Sequence, residues 1–342
     1  MDWKPLAQGR GIIIQVNMAS WQIVAGPPVV AGRGVIATRD IQKGELIHEE
    51  QPLVNVSTGY GPLQWPRPGN STIFYNNERA GTTTILSRAV TSLSPANQGL
   101  FNVLFRPAGA TTALRQLVAR FEHNAFQYRY WSRMHLVVYP TISYVNHSCV
   151  PNADLEICEA AHGQSRLIAT RTIPNGSEIF INYTADLWLS NHLIRRPELH
   201  THWGFWCGCD GCIPAAAQVD IQERASATSY RANLITPAAA LNVMQLTTRV
   251  DRLRAYIALM NSLGRWTSDM SHACLMLAGL HFQQADYIKA MFCAIAGLLV
   301  ERHHYHKIHT PQLNTIVGNC YMQDSTLHAE YSRAALAPYP LA

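Results

Sequence analysis

Charge is scarce in this chain of 342 residues. Asp, Glu, Lys and Arg together make up 14%, against about 25% in an average soluble domain. The formal net charge of +5 is spread along the chain, and no basic run carries interleaved aromatics. That excludes the electrostatic footprint of a direct nucleic-acid binder. Long apolar runs are missing too. The longest, Ala290 to Val300, falls short of the roughly 20 residues of a membrane span, so no membrane partner is expected. Ile12-Ile13-Ile14 is too short for the apolar core of a secretory signal. No cysteine precedes Cys149, and three of the eight crowd at Cys207, Cys209 and Cys212. This distribution points to a metal site in a reducing compartment, cytoplasmic or nuclear, rather than to a disulfide framework.

What is present sorts into segments. The length allows two domains and a sizeable core. Residues 1–20 are weakly patterned and read as an N-terminal extension. Trp21 to Val24 reads as a strand ended by Gly26-Pro27-Pro28. Val35-Ile36-Ala37 is β-prone, Gln42-Lys43-Gly44 offers a turn glycine, and Leu46-Ile47 resumes an extended strand. Residues 57–80 are rich in Gly, Pro, Asn and Thr and read as a long loop. From about Thr83 to Asn124 the text turns helical. Ser94-Pro95 has the form of a cap followed by proline at the first helical position, and Ala113 to Phe121 has helical apolar spacing. Met134 to Tyr139 is an apolar run leading into Ser143-Tyr144-Val145-Asn146-His147-Ser148-Cys149-Val150-Pro151-Asn152. Leu155 to Cys158 and Arg166 to Thr172 read as strands either side of a His162-Gly163 turn. Ile173 to Glu178 reads as another turn and Ile179 to Tyr183 as another strand. Many short strands with Gly/Pro turns predict a compact, mostly-β unit. Leu187 to His202 looks helical, interrupted at Arg195-Arg196-Pro197. Residues 220–335 are Ala-, Leu- and Met-rich at helical spacing and predict three or four helices of an all-α domain.

Cys207-x-Cys209-x-x-Cys212 is the strongest local signal. Three thiolates on a loop tied down by Gly208 and Gly211 make most of a tetrahedral zinc site, and structural zinc wants four ligands. The fourth must come from elsewhere; Cys149 leads and Cys158 is second. Cys274, Cys293 and Cys320 sit in helical text and read as small core hydrophobes. His303, His304, His306 and His309 read as a helix-end cluster that suits the helix dipole.

The order Gly32-Arg33-Gly34, then Asn146-His147-Ser148-Cys149-x-Pro151-Asn152, then Glu178-Ile179-Phe180-Ile181-Asn182-Tyr183, then the cysteine knuckle resembles the SET-domain family of S-adenosylmethionine-dependent lysine methyltransferases. The SMYD-like and fungal SET proteins, which follow the knuckle with a helical domain, are the most similar subgroup. Residues 51–125 hold no cysteine, so the Cys-rich MYND finger of SMYD proteins is absent. The resemblance implies a mixed α+β fold. A mostly-β SET domain, formed as a pseudoknot, would comprise residues 21–56 and 121–186, with a helical insertion at 57–120. A post-SET zinc-binding segment would follow at 187–214 and a helical C-terminal domain at 215–342. In the pseudoknot Asn146-His147 passes beneath the strand end carrying Tyr183.

The same resemblance implies roles. Arg33 and Gly34 would lie along the cofactor with their backbone, Asn146 and His147 would hold it, and Phe205 would stack on its adenine. Tyr183 would stand where the sulfonium methyl meets the acceptor. Phe126, Ser143, Tyr144 and Trp203 would line the acceptor channel, with Tyr144 and Trp203 departing from the residue types common in the subgroup. Methyl transfer from a sulfonium is an in-line displacement that needs alignment, worth about 7–11 kcal/mol. The implied substrate is a protein lysine. A small-molecule metabolite methylated or cyclised on the same scaffold, and a non-catalytic binding module, are the alternatives. A structural zinc and a monomer complete the expectation.

Overall fold

The computed structural model describes residues 20–25, 32–60, 80–107, 110–130, 133–158, 161–184, 187, 189–213, 217–233, 243–302, 308–324 and 327. The expected extension up to residue 19, the Gly26-Pro27-Pro28 break, most of the loop at 57–80 and His303, His304 and His306 lie outside them.

Strands β1 (Trp21–Ala25) and β2 (Arg33–Ala37) form an antiparallel pair. Strand β3 (Leu46–Glu50) pairs with β9 (Gln164–Ala169), which pairs in turn with β8 (Ala153–Cys158). A third sheet sets β6 (Arg133–Val138) between β4 (Val54–Tyr60) and β5 (Ala125–Tyr130). The fourth pairing, β7 (Asn146–His147) with β10 (Phe180–Ile181), is parallel and two residues long. The β8–β9 hairpin turns where expected, with His162 at φ 56° and Gly163 at φ 89°. Helical turns carry the same logic. Ser94 accepts from the Asn97 N–H at 3.2 Å and starts a helix with Pro95 at its head, satisfying a donor that has no partner inside the helix.

Two β-side cores follow from these pairings. Val35, Ile41, Tyr139, Ile142, Leu167, Ile173 and Ile179 are buried together between the first two sheets and the threaded strands. The other face of the third sheet, through Val54, Val56, Leu136 and Val138, is covered by α1 (Ala80–Thr91), α2 (Pro95–Asn102) and α3 (Ala113–Asn124).

The remainder is helical: α4 (His192–Trp203), α5 (Ala217–Asn233), α6 (Val243–Ser262), α7 (Ser268–Gln283), α8 (Tyr287–Arg302) and α9 (Thr310–Gln323). Tyr256, Met260, Trp266, Met270, Cys274 and Leu277 form one core, and Ala290, Met291, Ala294, Leu313, Val317 and Cys320 a second. No helix among the described residues is long and apolar enough to cross a membrane.

Four expectations need correction. Helix α4 runs through Pro197 without a break and begins at His192 rather than Leu187. The strand expected over Ile179 to Tyr183 pairs only at Phe180–Ile181, because Ile179 turns away to donate to Val35 O at 2.8 Å. Residues 57–60 extend β4 instead of opening a loop. The all-α segment holds five helices among the described residues, α5 to α9, not three or four.

The helical part seats on the β part through the turn after α6. Gly264 has φ +66°, and a Cβ there would stand closer to Pro151 O than real Cβ contacts allow. Around it Lys43 Nζ donates to Asn261 Oδ1 at 2.7 Å, Arg171 donates to Ser262 O, and Arg265 Nη1 reaches Asp154 Oδ1 at 3.5 Å.

Candidate active site and metal centre

Three chain segments meet where β7 lies beside β10. A parallel pair needs a long crossover, supplied here by β8, β9 and the turn at Gly176. Two paired residues make a weak ladder, and side chains reinforce it. Asn152 Oδ1 accepts from Phe180 N–H at 2.8 Å and its Nδ2 donates to Glu178 O at 2.8 Å. Ser148 N–H donates to Ile181 O at 3.0 Å. Asn146 Nδ2 donates to Arg33 O at 3.0 Å and to Glu178 Oε1 at 2.7 Å. Both amide hydrogens are thereby used, and Oδ1 is left as the accepting atom of that side chain.

Tyr183 stands just past β10. Its hydroxyl donates to Val145 O at 2.7 Å and its N–H to His147 Nδ1 at 2.9 Å. Burial, with the Glu178 carboxylate second, pushes the phenol pKa well above its usual range, so the group is a neutral O–H at physiological pH. The rings of Tyr183 and His147 lie 5.2 Å apart, Tyr183 and Trp203 5.6 Å, and His147 and Phe205 6.0 Å. These four make one aromatic wall from three separate stretches of sequence.

His147 joins this wall to the cysteines. Because Nδ1 accepts from Tyr183, the ring proton sits on Nε2, which points at Cys149 Sγ 3.2 Å away. Cys149, Cys207, Cys209 and Cys212 offer sulfur atoms all within 4.8 Å of one another. A tetrahedral ion with bonds of about 2.3 Å to sulfur needs sulfurs about 3.8 Å apart; Cys149 Sγ lies 3.9 Å from that of Cys207 and 3.5 Å from that of Cys212. The donor set therefore fits a metal ion. Cys158, the second candidate for the fourth position, ends β8 and is not in the group, whereas Cys149 is. Hydrogen bonds from the Cys207, Cys209 and Cys212 thiols hold Cys149 far below the usual thiol range.

Beneath the thiols lies a polar cluster. Asp220 Oδ1 accepts from Arg195 Nη2 at 2.8 Å and from Arg224 Nε at 3.2 Å, and its Oδ2 accepts from His192 N–H at 2.9 Å. Burial works against the charge on Arg195, but the Cys149 thiolate and Asp220 outweigh it and push its pKa up.

The residues proposed from the sequence distribute as follows. Arg33, Gly34, Asn146 and His147 converge with Tyr183, Trp203 and Phe205 around the β7–β10 pair. Tyr144 lies under the Arg33 guanidinium, 4.8 Å from its ring centre. Arg33 also donates to Val103 O, at the end of α2. Ser143 commits its hydroxyl to Asn124 O at 3.1 Å and accepts from Tyr139 N–H at 3.2 Å. Phe126 packs on Tyr139, centroids 5.7 Å apart. Glu178, Asn152, Arg195, Asp220 and Arg224 were not singled out for these contacts. Asn152 and Glu178 stood inside quoted motifs, whereas Arg195 beside Arg196-Pro197 carries no signal of burial.

Residues 32–184 match the family model described as SET domain. Over 75 residues, 22% of this chain and 14% of the relative, the sequence is 44% identical to the histone-lysine N-methyltransferase SET5 of Saccharomyces cerevisiae. Over 77 residues, 22% of this chain and 16% of the relative, it is 38% identical to the protein of the same description from Yarrowia lipolytica. The chain thus spans less than a fifth of the length of these curated relatives. Among solved structures, a Polycomb Repressive Complex 2 from Chaetomium thermophilum bound to S-adenosylmethionine aligns over 89% of this chain and 33% of that one, at 12% identity and a TM-score of 0.26.

Proposed function

We propose that this chain, whose residues 32–184 match the SET-domain model, is an S-adenosylmethionine-dependent methyltransferase acting on a lysine side chain of a protein. The observation that carries the reading is the convergence of Asn146, His147 and Tyr183 on the two-residue parallel pair β7–β10. The similarity to histone-lysine N-methyltransferases supports the lysine acceptor. It also favours a nuclear setting.

The cofactor supplies an electrophilic methyl on a sulfonium. In this reading the chain does the rest by placement. Asn146, its amide hydrogens fixed by Arg33 O and Glu178, presents Oδ1 to the cofactor, and Phe205 and His147 offer ring faces. The neutral Tyr183 hydroxyl, tied to Val145 O, orients the acceptor nitrogen without ionising. The aromatic wall excludes water, which favours the uncharged amine that must attack, and it tolerates the cationic methylated product. Cys149, Cys207, Cys209 and Cys212 hold a structural zinc that joins the Asn146–Cys149 stretch to the segment after Trp203. The division into a SET domain at 21–56 and 121–186, an insertion at 57–120, a zinc segment at 187–214 and a helical domain at 215–342 belongs to the same proposal.

The test combines calorimetric titration of S-adenosylmethionine with a methyl-label survey of protein and small-molecule fractions. Binding of the cofactor and label in protein are expected. Tyr183→Phe should lower turnover about 100-fold, close to 2.7 kcal/mol of barrier, with cofactor affinity within about threefold of the parent. A folded protein that binds no cofactor refutes the enzyme, and label confined to metabolites refutes the lysine acceptor.

A further inference from the structure

Arg195, Asp220 and Arg224 present a puzzle of placement. Their side chains are 0%, 3% and 1% exposed, yet burying charge is costly unless each group is paired and hydrogen-bonded. One carboxylate serves both guanidiniums through the same oxygen, Oδ1. Each guanidinium also reaches a loop that carries the thiols. Arg224 Nη2 donates to Cys149 O at 2.9 Å, and Arg195 Nη2 contacts Gly211 O at 3.4 Å. Arg195 also donates to Ser190 O. Its Nε is buried with no hydrogen-bond partner among the described residues. Gly211 passes between: a Cβ there would stand 2.8 Å from Val150 Cγ2 and 3.8 Å from Arg195 Nη2.

We propose that Arg195, Asp220 and Arg224 are the outer shell of the four-thiol centre, offsetting its negative charge and making its metal affinity depend on helices α4 and α5. A divalent ion on four thiolates leaves a doubly negative group, and two guanidiniums bridged by one carboxylate supply positive charge against it from the buried side. The backbone contacts add position. Arg224 fixes the carbonyl of Cys149, Arg195 that of Gly211, and Asp220 ties both to the head of α4 through His192 N–H. Outer-shell partners of this kind typically set metal affinity by about 10–100-fold. The inference rests on reading the thiols as a metal site.

The experiment measures zinc affinity of the full chain by competition with a chromophoric chelator, alongside zinc content by native mass. The parent chain should hold one ion, and Cys209→Ser should lose it. Arg195→Met and Arg224→Met should each weaken zinc binding by about 10–100-fold, and Arg195→Lys should fall between them and the parent. Arg196→Met, whose guanidinium lies over Trp206 and not among the Asp220 contacts, should leave affinity unchanged. Where a variant folds poorly, its thermal midpoint should still rise with added zinc, the rise setting in at about 10–100-fold more free metal than the parent needs. A parent chain that binds zinc while Arg195→Met and Arg224→Met bind it within twofold of the parent overturns the outer shell and leaves the metal site standing. A folded parent that binds no zinc overturns both.

Discussion

Replacing Gly264 with alanine tests how the helical part of the chain seats on the Asn146–Asn152 stretch. Gly264 occupies φ +66°, where an L-residue costs about 1–2 kcal/mol. The new methyl would collide with Pro151 O and stand 3.1 Å from Thr170 Oγ1 and 3.2 Å from Arg171 Nε. Pro151 O is backbone and Pro151 is buried, so the α6–α7 turn has to lift. Lifting it stretches Lys43–Asn261 and Arg265–Asp154, each worth about 1 kcal/mol. The expected loss is therefore about 3–4 kcal/mol. Urea unfolding followed by tryptophan fluorescence reads this directly, because Trp266 is 4% exposed and lies beside the turn, with Lys43 Nζ over its ring at 5.2 Å. Gly264→Asn separates the two causes: asparagine tolerates the left-handed backbone but still meets Pro151 O. It should recover no more than about 1 kcal/mol. Stability of Gly264→Ala within about 0.5 kcal/mol of the parent, the scale of an uneventful surface change, refutes the seating. Full recovery in Gly264→Asn refutes the collision.

Other outcomes follow from the same geometry. Glu178→Ala frees one hydrogen of the Asn146 amide and should weaken S-adenosylmethionine binding about tenfold, the worth of about one hydrogen bond to a charged group; calorimetry measures it, and unchanged affinity counts against the orienting role. Tyr183 ionises less readily folded than unfolded. Its contribution to stability is thus complete below about pH 10 and lost as pH rises through the folded value. Absorbance at 295 nm should show this phenol titrating only as the chain unfolds, and Tyr183→Phe should flatten the alkaline fall in stability.

What could be read in advance was local. The Cys207–Cys212 spacing, the Ser94 cap and the His162-Gly163 turn each state their geometry within a few residues. The count of helices failed where no such signal exists. Ala285 adopts φ 57° between α7 and α8 with no glycine or proline nearby, and both helices bury residues on much of their circumference, which erases the apolar stripe that marks a boundary. Pro197 reads as a break because proline removes a helix donor, yet packing of Leu199 and the buried Arg195 carries α4 past it. The four aromatics of the site were named from motifs, but that Ser143 would be absorbed in backbone contacts to Tyr139 and Asn124 depends on tertiary neighbours no short window contains.

The thiol centre also has a history in time. Cys149 and Cys212 are 63 positions apart, and a ribosome adds about 5–20 residues each second. For roughly 3–13 s after Cys149 is made, the set of sulfurs that closes around it is incomplete. Within that interval Cys158 joins Cys149 as a second thiol, and for about the first half of it β7 has no partner, because Phe180–Ile181 is not yet made. Until those sulfurs arrive, Cys149 lacks the neighbours that bury it in the folded chain, and an oxidant reaches its thiol most easily then.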